Sequence, residues 1–219
     1  MSNSTFDVTI TESMLAELQD SVAKRISGKR LAHTYGVERM AVRLGALYCP
    51  EKIPELRAAA LLHDITKEET LEKQLQLCKE FGIMTDACDV LSPKIFHAKT
   101  AAALIGREFP AFASAVVVEA VRWHTTGHEG MTLTEQLIYL ADYIDDTRIF
   151  PDCVTLREVF WSRHPEKMNQ EQRLSHLRDV MILSYQMTIR SLLEEGTPVC
   201  ADTFLARNEL ICQRAGIVV

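Results

Sequence analysis

The sequence predicts an all-α protein, a single compact helical bundle. Apolar residues recur at steps of three and four through most of the chain, the spacing that lines one face of a helix. No run alternates apolar and polar residues as a half-buried strand would, and "VVV" at 116–118 falls inside a helical pattern. Caps, glycines and prolines punctuate these segments where helices of a bundle would begin and end.

Thr9 and Glu12 form a capping-box pattern before a first helix, on which Met14, Leu18, Val22 and Ile26 share a face. Ser27-Gly28 breaks it. The second helix carries His33, Val37, Met40 and Leu44 on one face and stops near Pro50. Pro54 opens a third, with Ala58, Leu61, Leu62 and Ile65 inward, ending around His63-Asp64. A short amphipathic helix through Leu71, Leu75 and Cys78 ends at Gly82. Residues 94–108 and 111–124 are the next two; His97, Ala101, Leu104 and Ile105 share a face of one, Val117, Ala120, Val121 and His124 a face of the other. After the "TTGHEG" loop, Thr132 and Glu135 cap "LTEQLIYLADYIDD". Helices around 154–161, 170–195 and 202–212 complete the chain, and the segment past Ala206 either packs on the core or frays.

The chain has 219 residues, 47% hydrophobic and 25% charged, enough to bury a core without staples. A net charge of −6 gives no general electrostatic case for nucleic acid or an anionic membrane. No apolar run approaches the roughly 20 residues of a membrane span. The start, "MSNSTFDVTITES", lacks a basic region followed by an apolar one, so no signal peptide is read there. Six cysteines are scattered without a CxxC pair, as reduced thiols in a cytoplasmic protein would be. A homodimer through an exposed apolar helix face is compatible with the sequence, which does not choose the face.

The chemistry lies in where the histidines fall. His33, His97 and His124 sit on apolar stripes, His63-Asp64 ends an apolar helix, and Asp142 is embedded in "YLADYI". A buried carboxylate left charged and unpaired is very costly. Any one of these histidines alone reads as an ordinary core histidine bonded to a carbonyl. Together, four inward histidines and two inward aspartates would satisfy one another through metal ions. Imidazole nitrogen and carboxylate oxygen suit iron, manganese, cobalt or zinc. Lys67 and Arg148 closely follow proposed ligands and could hold an anion there. Thr125, Thr126 and Gly127 form a polar turn able to face a phosphate or ribose, and His128 lies within reach of it. His164 and His176, in polar surroundings, are expected to be solvated.

At these residues the sequence resembles the HD-domain metallohydrolase superfamily. Within it, the sequence is most similar to the YqeK family of symmetrical bis(5'-nucleosyl)-tetraphosphatases. The matching stretches are "HTYGVERMA" (33–41), "AALLHDITK" (59–67), "FHAKTAA" (96–102), "EAVRWHTTGHEGMTLTEQLIYLADYIDDTRIFPD" (119–152) and "DTFLARN" (202–208). The resemblance implies an HD domain over 16–208, an N-terminal extension over 1–15 and a C-terminal tail over 209–219. It implies a first metal on His33, His63, Asp64 and Asp142, with Asp64 bridging to a second held by His97 and His124. Two iron ions are the implied pair. It makes Asp64, Lys67 and Arg148 catalytic, and gives Lys67, Arg148, Thr126, Gly127 and His128 to a nucleotide substrate. The implied reaction splits diadenosine tetraphosphate into two ADP. The alternatives are another HD-domain phosphohydrolase acting on nucleotides, or a non-catalytic nucleotide-binding regulator. Departures from the family pattern are Ile65 where an aromatic is expected, His128 for arginine, Asp145 for glutamate and Asp152 for glycine.

Overall fold

Eleven α-helices and no strand occur among residues 9–83 and 87–217, which the computed structural model describes, with side chains in the second stretch from 89 onward. They are α1 (Glu12–Ala23), α2 (Gly28–Tyr48), α3 (Ile53–Leu62), α4 (Leu71–Glu80), α5 (Ala87–Leu91), α6 (Phe96–Glu108), α7 (Ala115–Trp123), α8 (Leu133–Ile144), α9 (Pro151–Ser162), α10 (Gln170–Glu194) and α11 (Ala201–Arg214). Proline sets several boundaries. Single 3-10 turns begin at Pro50, Pro93, Pro110 and Pro165. Its fixed φ and missing N–H suit the first position of a turn.

The expected capping box at Thr9 is displaced. Ile10 packs on the core, so the chain turns into α1 at Thr11, whose hydroxyl accepts from the Met14 N–H. Glu12 is then the first helical residue rather than the third. The capping box at Thr132 and Glu135 forms as expected. The helix expected to open at residue 94 starts at Phe96, and the one expected at 111 starts at Ala115, because 3-10 turns occupy the residues between. The sequence pattern gave no warning of α5.

The core is layered about α2, α3, α7 and α8. Helix α3 packs on α2 and α7, α8 packs on α2 and α7, and α6 covers α7. Leu44, Leu61, Ile138, Leu140 and Phe160 are wholly buried there. Helix α10 closes the bundle against α9 and carries α11. Helix α11 runs across position 208 to Arg214 without a break, with Ala206 and Leu210 buried. The segment past Ala206 therefore packs on the core. Cys49, Cys78, Cys153, Cys200 and Cys212 are free thiols; the Cys88 side chain lies outside the described residues.

Candidate metal centre

Five helices converge on one point. His33 faces inward from α2, His97 from the first turn of α6, and Asp142 from the last turn of α8. His63 and Asp64 follow directly on α3, and His124 on α7. Every one of these six side chains belongs to a residue no more than 9% exposed. The histidine rings form a row, with centroids 5.4 Å apart for His33 and His63, 5.0 Å for His63 and His124, and 4.9 Å for His124 and His97.

The carboxylates lie along this row. Asp142 Oδ1 is 2.9 Å from His33 Nε2 and 3.7 Å from His63 Nε2. Asp64 divides its oxygens. Oδ2 is 3.4 Å from His63 Nε2 and 3.7 Å from His33 Nε2, while Oδ1 is 3.2 Å from His97 Nε2 and 3.9 Å from His124 Nε2. One carboxylate thus faces two pairs of imidazoles.

The ring orientation is fixed from behind. Nδ1 of His63 donates to the Ala60 carbonyl at 2.7 Å, His97 Nδ1 to Lys94 at 2.6 Å, and His124 Nδ1 to Val121 at 2.7 Å. That leaves each Nε2 a bare lone pair turned to the centre. Nε2 of His33 and of His63 is buried without any hydrogen-bond partner. The Nε2 atoms of His97 and His124 face each other at 3.0 Å. Buried acceptors turned on one another need a cation among them. Three sets fit one by distance: His33, His63 and Asp64; His63, His124 and Asp142; and Asp64, His97 and His124. The donor chemistry suits a divalent transition metal.

The electrostatics agree. Burial, with His97 and His63 adding, pushes His124 well below the usual imidazole range, and burial with Lys67 lowers His97. Both are neutral, as ligands must be. Burial resists ionisation of Asp64 and Asp142. Even so, His63 and His97 hold Asp64 far below the carboxylate range, and Arg148 and His33 do the same for Asp142. His33 is the exception: burial opposes its charging, but the carboxylates of Asp142 and Asp145 raise it to about 9.

Cations ring the cluster. Lys67 Nζ lies 3.1 Å from His97 Nε2, and burial lowers its pKa. Arg148 bonds both the side chain and the backbone carbonyl of Asp142. Sequence reasoning missed Arg30, whose Nη1 donates to Asp64 Oδ2 at 2.7 Å, and marked Asp145, buried behind His33, only as a departure from the family pattern. Each stands three residues from a ligand on the same helical segment, Arg30 from His33 and Asp145 from Asp142, and that spacing was the available signal.

The turn after His124 divides. Thr125 Oγ1 is 3.3 Å from His97 Nε2. Thr126 and Gly127 point elsewhere: the Thr126 carbonyl accepts from Thr203, and Gly127 lies against Tyr185. His128 contacts Trp123 and Glu135, not the six clustered residues. The expectation for His176 fails. It is buried, donates to the Phe160 carbonyl at 2.9 Å and stacks on that ring, because its polar sequence neighbours face outward from α10. His164 is 61% exposed at its side chain, as expected.

The sequence profile of the HD domain family matches residues 30–147, which include all six clustered side chains. The chain belongs to the HD domain family. Its relatives include the symmetrical bis(5'-nucleosyl)-tetraphosphatase of Bacillus subtilis, 30% identical over 190 residues, covering 87% of this chain and 94% of the relative. The enzyme of the same name from Halalkalibacterium halodurans is 29% identical over 193 residues, covering 88% and 95%. The crystal structure of a predicted HD superfamily hydrolase involved in NAD metabolism from Clostridium acetobutylicum matches with a TM-score of 0.77 and 28% identity over 90% of this HD-domain chain and 97% of its own.

Proposed function

We propose that this chain is a symmetrical bis(5'-nucleosyl)-tetraphosphatase, a metal-dependent hydrolase that splits diadenosine tetraphosphate and water into two ADP. The observation that carries this reading is Asp64, whose two oxygens face separate pairs of imidazole Nε2 atoms, in a chain alike to enzymes of that name over most of its length. His33, His63, Asp64 and Asp142 would hold one ion, and Asp64, His97 and His124 a second. Iron is the pair implied by resemblance; manganese, cobalt and zinc suit the same donors. When bound, such ions supply Lewis acidity and activate water at neutral pH.

The chain's own residues do the rest. His97 and His124 stay neutral and leave the ion charge available to the phosphates. Lys67 and Arg148 stand at the rim with their charged ends toward Asp64 and Asp142, where they would meet the non-bridging oxygens of a polyphosphate. A nucleoside diphosphate leaves readily, so no strong general acid is required, and the cluster offers none. The net charge of −6 ceases to be an obstacle, because the site rather than the surface attracts the anion. A nucleotide substrate and free cysteines fit a cytoplasmic enzyme.

The test is incubation of anaerobically purified protein with diadenosine tetraphosphate, with and without chelator, products being separated by ion exchange. ADP alone, lost on chelation, is expected. AMP plus ATP would overturn symmetrical cleavage, and chelator-resistant turnover would overturn the metal reading.

A further inference from the structure

Three of the four clustered histidines are oriented by their own chain ends. His63, His97 and His124 each give the Nδ1 proton to the carbonyl three residues earlier. Those carbonyls are available because the residues lie at helix termini. His33 has no such carbonyl. It is the sixth residue of the 21-residue α2, where backbone carbonyls are committed to the helix. Its Nδ1 faces Asp145 Oδ2 at 3.3 Å and Thr147 Oγ1 at 3.3 Å.

Asp145 is built to be there. It caps the C-terminal end of α8 and is wholly buried. Its Oδ1 accepts from the Thr147 N–H at 2.9 Å and from the Thr147 hydroxyl. Its Oδ2 is a buried acceptor without a hydrogen-bond partner, 3.3 Å from His33 Nδ1 and 3.7 Å from Arg148 Nε. Gly36, three residues after His33 on α2, opens the slot. A Cβ there would stand 2.6 Å from Asp145 Oδ1 and 2.9 Å from Thr147 Cγ2.

We infer that Asp145 is the positioning residue for His33: its Oδ2 keeps the imidazole proton on Nδ1 and so leaves Nε2 free to bind metal. This rests on the metal-binding reading above. The Thr147 N–H fixes the orientation of the carboxylate, and that makes one substitution decisive. In Asp145→Asn the amide oxygen must stay on Thr147, which puts the NH2 at the place of Oδ2. An amide N–H then points at His33 Nδ1 where an acceptor stood, which favours Nδ1 as the acceptor and moves the proton to Nε2. Size and shape are preserved, so a merely structural aspartate would be replaced without effect. Gly36→Ala reaches the same end by pushing Asp145 away with its charge intact.

The experiment is a cobalt(II) titration of wild type, Asp145→Asn and Gly36→Ala, followed by visible absorption against a competing chelator, with melting curves alongside. Wild type should take two ions. Asp145→Asn should keep its fold and the ion on Asp64, His97 and His124, and bind the other roughly 10–100-fold more weakly. In metal-free protein above pH 9, where the wild-type ring is neutral, 15N resonances should show the His33 proton on Nδ1 in wild type and on Nε2 in the variant. Wild-type affinity for both ions in folded Asp145→Asn, or an unchanged tautomer, overturns the inference. Wild type that binds no cobalt sinks the metal reading instead. If Asp145→Asn fails to fold, Gly36→Ala and the wild-type tautomer decide the matter.

Discussion

Asp64 joins the two halves of the histidine row, since its oxygens divide between His33 with His63 and His97 with His124. Asp64→Ala should therefore lose both metal and turnover; elemental analysis of the folded variant checks it, and full metal content would refute the bridging role. Lys67 touches only the rim of the row. Lys67→Ala should keep its metal and lose about 1.5–3 kcal/mol of transition-state binding, roughly ten- to a hundredfold in kcat/KM, measured by steady-state kinetics at matched metal content. The six clustered residues were legible because each is a polar group on an apolar stripe, a local pattern. The contact of Arg30 with Asp64 spans 34 positions and that of Asp145 with His33 spans 112, so the three-residue spacing points to the residues while the folded bundle shows their partners. His176 misled for the same reason, because its partner Phe160 lies on another helix.

The helices hold the site through their ends, since His63, Asp64 and His124 all lie just past a last helical turn. Helix α8, which carries Asp142, starts from the Thr132–Glu135 capping box. Thr132→Ala should cost about 1 kcal/mol in chemical denaturation, with the site unchanged, because it orphans the Glu135 N–H, two turns from Asp142. Gly127 closes the turn after α7 at a φ of 63°, and a Cβ there would lie 2.1 Å from the Tyr185 hydroxyl. Gly127→Ala should cost about 1–3 kcal/mol for the left-handed backbone alone, and more as Tyr185 is displaced; denaturant midpoints measure it. At this scale the sequence reading found the long helices, whose period repeats. It missed the 3-10 turns and α5, which are too short to show a period, and chose Thr9 over Thr11 because Thr9 has a glutamate three residues on and Thr11 a methionine.

Across the whole molecule, the six clustered residues come from α2, α3, α6, α7 and α8 or the residues just after them, so ions bound among them would cross-link most of the core. Arg30 and Arg148 offset the charge of Asp64 and Asp142, which lowers the cost of burying the two carboxylates. The unfolded chain scatters these residues from position 33 to 142 and cannot present them together. Metal therefore binds the native state preferentially and stabilises it by mass action, about 2.7 kcal/mol for each site at a hundred times its Kd. For a domain of this size 1 kcal/mol is worth roughly 2–4 °C, so saturating one site should raise Tm by about 5–10 °C, and the second should add to it. Calorimetry on metal-loaded protein, on chelated protein and on Asp64→Ala tests this. The first should melt well above the second, and the variant should not respond to metal. Equal melting of loaded and chelated wild type, with metal content confirmed, would mean that the ions sit outside the core cluster.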